Sequence, residues 1–263
     1  MSYAPYFKDK TVLITGASSG IGRALALKLG RSGAQVGVLA RREDKLQELR
    51  DEIGGNIHIL AGDIADPEYC QRSVVSLAEQ TGGIDVVFNN AGVSMNALFD
   101  DADIAVFHRM MEVNYFGSLY IARYAQPYLE HSRGSIIFVS SIVGKRGFPT
   151  RSGYSASKFA IQALFETLRV EWAPKGIHVG LVAPGYTDTE IRVQALGPDG
   201  ARRNKPGKST GDVMTADEAA EALLRAAALR KREIVLTTGG KLMVWLNKLA
   251  PRCADWAAAR VVG

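Results

Sequence analysis

The sequence predicts an α/β domain built on an open parallel sheet, and three observations carry that expectation. Short apolar, β-rich runs alternate with longer segments of helical period from Thr11 to Leu236. The first run, Thr11 to Thr15, passes at once into a glycine turn and then an Ala/Leu-rich helical pattern reaching Leu29. Later runs end in glycine or polar groups, at the strand ends where an open parallel sheet forms its ligand crevice. At 263 residues, with no linker-like break or internal repeat, the chain is expected to form one domain spanning 1–263.

The first turn reads Gly16-Ala17-Ser18-Ser19-Gly20-Ile21-Gly22. Its glycines let backbone amides approach a pyrophosphate, the helix N-terminus adds partial positive charge, and Gly22 allows close helix–strand packing. The second strand, Gln35 to Ala40, ends where the adenosine ribose of such a dinucleotide would lie. Ala40 stands where an Asp or Glu would bind a free 2′-hydroxyl, and Arg41 and Arg42 follow it, so the pattern favours NADP(H) over NAD(H). The same two arginines could simply open a solvated helix, Arg42 to Ile53.

The third strand, Ile57 to Ala61, leads into Gly62-Asp63-Ile64, and the fourth, Ile84 to Phe88, into Asn89-Asn90-Ala91-Gly92. Asp63 is placed to reach an adenine amino group and Asn90 the ribose side. Alternatively, Asp63 caps the helix opening near Asp66 and Pro67, and the asparagines form a turn. A long helical pattern from about Asp103 to His131 carries Asn114, a residue mildly unfavourable inside a helix.

The chemically richest stretch runs from Ser140 to Lys158, after the apolar run Ile136 to Val139. Tyr154 lies near the start of a helix from Gly153 to Trp172, and Lys158 is one turn further on the same face. A nearby ammonium favours the phenolate and lowers the phenol toward a useful acid/base range, and Ser141 can hold the same substrate oxygen. The spacing alone is equally compatible with an ordinary surface lysine.

The sixth strand, His178 to Ala183, ends in Pro184-Gly185-Tyr186-Thr187-Asp188-Thr189. The segment Glu190 to Asp212 then carries Arg192, Arg202, Arg203, Lys205 and Lys208 against Glu190, Asp199 and Asp212, and its length suggests a substrate lid. Interleaved acids favour a solvated mobile loop here, with an anionic or phosphopantetheine-bearing substrate as the secondary expectation. Thr215-Ala216-Asp217-Glu218 is a capping box for a helix to about Leu229, and Glu233 to Leu236 is the last strand. In the tail, 241–263, Leu242, Trp245, Leu246 and Leu249 form a stripe at helical spacing that reads as core or subunit contact. Peripheral membrane association of that stripe is the less favoured alternative.

Composition narrows the function class. The net charge of +5 is mild and its basic residues are scattered, which gives a nucleic-acid role little support. Cys70 and Cys253 are isolated and the four His residues make no metal pattern. The N-terminus lacks the apolar core of a secretory signal, so a soluble cytoplasmic protein is expected.

Taken together, TGASSGIG, NNAG, Asn114, Ser141, Tyr154-x-x-x-Lys158 and Pro184-Gly185 resemble the short-chain dehydrogenase/reductase family across nearly the whole chain. The resemblance implies a Rossmann-type, doubly wound sheet of about seven strands and a nicotinamide cofactor. It implies carbonyl/alcohol interconversion and a homodimer or homotetramer. The implied catalytic set is Asn114, Ser141, Tyr154 and Lys158: Tyr as acid/base, Lys on the nicotinamide ribose, Ser polarising the substrate oxygen, and Asn holding a water. Implied cofactor contacts run through Gly16, Ser18, Ser19, Gly20, Ile21, Gly22, Arg41, Arg42, Asp63, Ile64, Asn90, Ala91 and Gly92. Tyr154, Lys158, Pro184, Gly185, Thr187 and Thr189 complete them, with Thr189 matching the family's threonine near the carboxamide. A non-catalytic dinucleotide-binding regulator would have no need of the intact Ser, Tyr and Lys.

Overall fold

The computed structural model describes residues 3–205 and 213–260. Seven parallel strands form one sheet in the order β3-β2-β1-β4-β5-β6-β7. They are β1 (Thr11–Thr15), β2 (Gln35–Ala40), β3 (Ile57–Ala61), β4 (Val86–Asn89), β5 (Ser135–Val139), β6 (His178–Ala183) and β7 (Glu233–Val235). The chain builds outward from β1 to β3, then crosses back and continues from β4 to β7, so the order reverses between β1 and β4. That reversal opens a crevice at the strand ends.

Alternate residues of the central strands feed two separate cores. Val12 and Ile14 of β1 pack with Leu25 and Leu29 of α1 (Gly20–Gly30) and with Leu223 and Leu224 of α8 (Ala216–Ala228). Leu13 faces the other side. It joins Leu77 of α3 (Pro67–Thr81), Ile121 and Leu129 of α5 (Gly117–Ser132), and Phe165 of α6 (Ser152–Glu171). Both faces of the sheet are therefore dry, which explains why its strands read as apolar runs. α2 (Glu43–Ile53) packs Leu46 and Leu49 into the first of these cores.

The single long helix expected from about Asp103 to His131 is α4 (Ile104–Met110) and α5, joined by one π-helical segment, Met111–Phe116. The wide turn falls on Asn114. Its side chain satisfies Val93 through both backbone groups, accepting from the N–H at 2.8 Å and donating to the carbonyl at 3.0 Å. The unfavourable mid-helix Asn is thus a tie between this helix and the segment after β4.

The structure bears on two further expectations. The segment expected as a mobile loop is anchored over the part described. It opens with α7 (Glu190–Val193), and Leu196 exchanges backbone hydrogen bonds of 2.8 Å with Ser94 and Asn96. Residues 206–212 of the expected lid lie outside the described residues. Of the two expectations for the tail stripe, core or subunit contact, the structure removes core packing within this chain. In α9 (Thr238–Leu249), Leu242, Trp245 and Leu249 are 61%, 61% and 63% exposed, and α10 (Pro251–Ala259) adds an exposed Trp256. Among the described residues, no helix is long and apolar enough to cross a membrane.

Candidate active site

A continuous cleft of about 1260 Å³ runs along the strand ends at the topological reversal. One end is built by the glycine turn. The Gly16 N–H donates to Leu39 O at 2.8 Å, and Thr15 Oγ1 accepts from the N–H groups of Asn90 and Ala91 at 2.9 Å. Asn90 Nδ2 donates to Thr15 O at 2.8 Å. The Asn90 side chain, expected on the ribose side, thus ties the end of β4 to the turn through its Nδ2 group while still lining the cleft.

Two glycines are required there for steric reasons. A Cβ on Gly22 would sit 2.3 Å from Gly16 O, and Gly16 itself has φ +70. Ser19 precedes α1 without a side-chain cap, which leaves the first N–H groups of the helix for a ligand. A bare cradle, an uncapped helix N-terminus and arginines beyond it fit the pyrophosphate and ribose of a dinucleotide. Gly22→Ala is expected to cut dinucleotide affinity by about tenfold or more while the chain stays folded. Calorimetric titration alongside a melting curve checks this.

Arg41 and Arg42 differ in their engagement. Arg42 donates to Ser18 Oγ at 3.1 Å and pairs with Glu190 at 2.8 Å, tying the glycine turn to α7. Arg41 is exposed and lines the cleft. Asp63 and Ile64 line it as well, but Asp63 is committed: it accepts from Arg109 at 2.8 Å and from the Ala65 N–H at 3.0 Å. Burial pushes its carboxyl upward, and these donors with the Arg109 and Arg41 charges overcome that, so the net shift is downward. The cap of α3 comes from Asp66, through the N–H groups of Glu68 and Tyr69, and not from Asp63.

At the other end of the cleft, Tyr154 and Lys158 occupy one face of α6 and Ser141 stands opposite at the end of β5. The side chains of Tyr154 and Ser141 both line the cleft and interact across it. Lys158 Nζ donates to Val139 O at 2.9 Å and lies 5.9 Å from the Tyr154 ring centroid. Asn114 Nδ2 donates to Ser157 Oγ at 2.8 Å, which in turn donates to Tyr154 O at 2.8 Å. The expected quartet is thus brought together. Ser140 also lines the cleft but is buried, its hydroxyl unpartnered among the described residues. Gly92, Pro184, Gly185, Thr187 and Thr189 line the same cleft, and Thr189 approaches Gly20 across it.

One expectation is reversed. Burial raises the Tyr154 phenol above its usual value, against smaller opposing effects of the Arg151 charge and the Ser141 hydrogen bond. Burial also brings the Lys158 ammonium down to about 8. Helical spacing shows that the two groups share a face, but the cost of enclosing them depends on tertiary structure. Sequence reasoning missed three further residues here: Arg109, Glu190 and Arg151. Only Arg151 left a local signal, lying three residues before Tyr154 and hence on its face.

Comparison with known proteins agrees with this geometry. A family model described as short chain dehydrogenase matches residues 10–197. The chain is 34% identical over 255 residues to dehydrogenase/reductase SDR family member 7B of Mus musculus, covering 94% of this chain and 79% of that one. It is 34% identical over 257 residues to 11-beta-hydroxysteroid dehydrogenase A of Sesamum indicum, covering 94% and 74%. Among solved structures, an alcohol dehydrogenase from the archaeon Thermococcus sibiricus complexed with 5-hydroxy-NADP is similar. It has a TM-score of 0.75 and 30% identity, covering 86% of this chain and 95% of that one. The chain belongs to the short-chain dehydrogenase/reductase family, and it is an NAD(P)-dependent oxidoreductase.

Proposed function

We propose that the protein interconverts a carbonyl and a secondary alcohol, prefers NADP(H), and uses Tyr154 as its proton donor and acceptor. The observation that carries this reading is the convergence of Ser141, Tyr154 and Lys158 in the cleft that begins at the glycine turn, with Lys158 one helical turn from Tyr154 on the same helix. When bound, the nicotinamide supplies or takes up the hydride. Gly16, Gly20, Gly22 and the N-terminus of α1 hold its pyrophosphate, and Lys158, released from Val139 O, holds the ribose. Ser141 donates to the substrate oxygen and orients it against Tyr154.

A phenol raised by burial is protonated at neutral pH, which suits donation to a carbonyl oxygen and hence the reducing direction. In the oxidising direction the same burial opposes the phenolate, and Arg151 with a charged Lys158 offsets it. Asn114 holds the α4–α5 turn open beside Ser157 and Tyr154, where a water can replenish the proton. The direct test is reduction of a panel of ketones with either cofactor; failure to oxidise NADPH with any of them removes the reading.

Cofactor preference rests on Arg41 more than Arg42, because Glu190 and Ser18 already occupy Arg42. Among the described residues, Arg41 has no ion pair. A hydrogen bond to a charged group is worth about 1.5–3 kcal/mol, so Arg41→Ala is expected to weaken NADPH about tenfold or more and leave NADH nearly unchanged. Equal affinity of the parent for both cofactors, measured by fluorescence titration, would contradict this. We further place the enzyme in the cytoplasm as a homodimer or homotetramer, with the exposed apolar face of α9 as a subunit contact. Light scattering that shows a monomer removes the oligomer.

A further inference from the structure

The cleft is charged unevenly. Eight cationic side chains line it against two carboxylates, Asp63 and Glu190. Both carboxylates are at the cofactor end and both are taken, by Arg109 and Arg42 at 2.8 Å each. The end beyond Tyr154 has Arg151, Arg192, Arg202 and Arg203, and among the described residues no carboxylate lines it.

Arg151 is the centre of this group. Its Nη1 donates to Ser94 Oγ at 3.0 Å and to Met95 O at 2.5 Å, which fixes the guanidinium. Among the described residues, Arg151 makes no ion pair and its other guanidinium nitrogens make no hydrogen bond to protein. Its position is costly twice over. It is the N-cap of α6, where the helix dipole disfavours a cation, and burial disfavours its charge; Tyr154 and Tyr186 partly offset that, Arg203 and Arg192 add to it, and the net effect is against the charge.

The backbone leading to it is also strained. Thr150, a β-branched residue, has φ +64 and is held there as its carbonyl accepts from the Ala97 N–H at 3.1 Å. Arg192 stacks over the Tyr186 ring at 5.3 Å, and the Arg203 N–H donates to Ala195 O at 3.1 Å, so the segment bearing these arginines is tied down as well. A solvated charged loop would show none of this, and an anion in the cleft would relieve the burial and the repulsion together.

We propose that the substrate carries an oxyanion group, a carboxylate or a phosphate monoester, held by Arg151 with Arg192 and Arg203 beside the reacting carbonyl. This rests on the reading of Tyr154 as the proton donor, since it fixes which end of the cleft takes substrate. Arg151 then holds the anion and places the substrate oxygen between Ser141 and Tyr154.

The test has two arms. In the first, matched ketone pairs are compared, each a carboxylate or phosphate monoester against its neutral methyl ester or alcohol. The parent is expected to favour the anion by about tenfold or more in kcat/KM. That preference should collapse in Arg151→Met, return in part in Arg151→Lys, and fall in Arg203→Gln. In the second, hexanoate, n-butyl phosphate and neutral hexanamide are titrated calorimetrically into the parent holding NADP⁺, at low and high salt. Salt-sensitive binding of either anion above the amide, weakened about tenfold by Arg151→Met, supports the proposal, and the better anion names the group. Neutral ketones reduced as well as anionic ones, with no anion binding above the amide, would overturn it and leave the proposed reaction standing. Anion binding that depends on Arg151, with no ketone reduced, would instead remove the reaction and keep the site.

Discussion

Tyr154→Phe is expected to lower turnover of a reducible carbonyl by about 10²–10⁴-fold, while affinity for NADPH stays within about twofold of the parent. The substitution keeps the ring and removes the hydroxyl. The ring packs with Met95 and Met110 beside the cleft, so the shape of the wall survives. What is lost is the hydroxyl proposed as the proton donor, and with it the polar contact with Ser141. Ser141→Ala should also act on turnover, by a smaller factor, because its oxygen aligns the substrate and supplies no proton. Stopped-flow reduction with saturating cofactor separates these effects from binding.

The second large effect concerns Lys158, and it has opposite signs for activity and stability. Lys158 is 4% exposed, and burial brings its ammonium down to about 8 from the usual 10.5. Below pH 8 both folded and unfolded chains hold the proton and the folded state carries the full cost. Between 8 and 10.5 the folded chain releases it first, so the unfolded chain binds more protons and stability rises with pH. Above 10.5 the cost is gone.

Lys158→Met should therefore be more stable than the parent at pH 7, by about 1–3 kcal/mol once the lost hydrogen bond to Val139 O is set against the relieved burial. In a chain of this size that raises Tm by several degrees. The advantage should shrink as pH approaches 10.5. Turnover should fall by about 10²-fold or more and cofactor affinity with it, because no charge remains to hold the ribose or to ease the Tyr154 proton. Melting curves across pH 7 to 10.5, read beside steady-state rates, check both halves. A variant less stable than the parent at pH 7 would contradict the stated cost of burying this lysine.

The parts of this structure written in local pattern were legible in the sequence. The β1 turn could be read because a strand, glycines and a helix must follow in that order, and Gly22 fails sterically with any side chain. Tyr154 and Lys158 were legible through helical spacing, and Asn114 through its poor fit to a helix interior. Contacts made across the fold were not. Arg42 meets Glu190 148 positions away and Arg109 meets Asp63 46 positions away, and no spacing rule reaches that far. Leu242, Trp245 and Leu249 show the reverse limit, since periodicity reveals that a helix has an apolar face without saying whether anything covers it. The direction of the Tyr154 shift was missed for the same reason: charge proximity is visible in spacing, and depth of burial is not.

In the proposed reaction, a hydride passes to a carbonyl in this cleft while Tyr154 supplies the proton. The most direct measurement uses NADPH fully deuterated at C4 and a ketone bearing a carboxylate or phosphate, with the alcohol analysed by mass spectrometry. One deuterium is expected at the carbinol carbon in the parent, with formation of that labelled alcohol slowed by about 10²-fold or more in Tyr154→Phe. Alcohol formed without the label, or formed with it at an undiminished rate in Tyr154→Phe, would contradict the account.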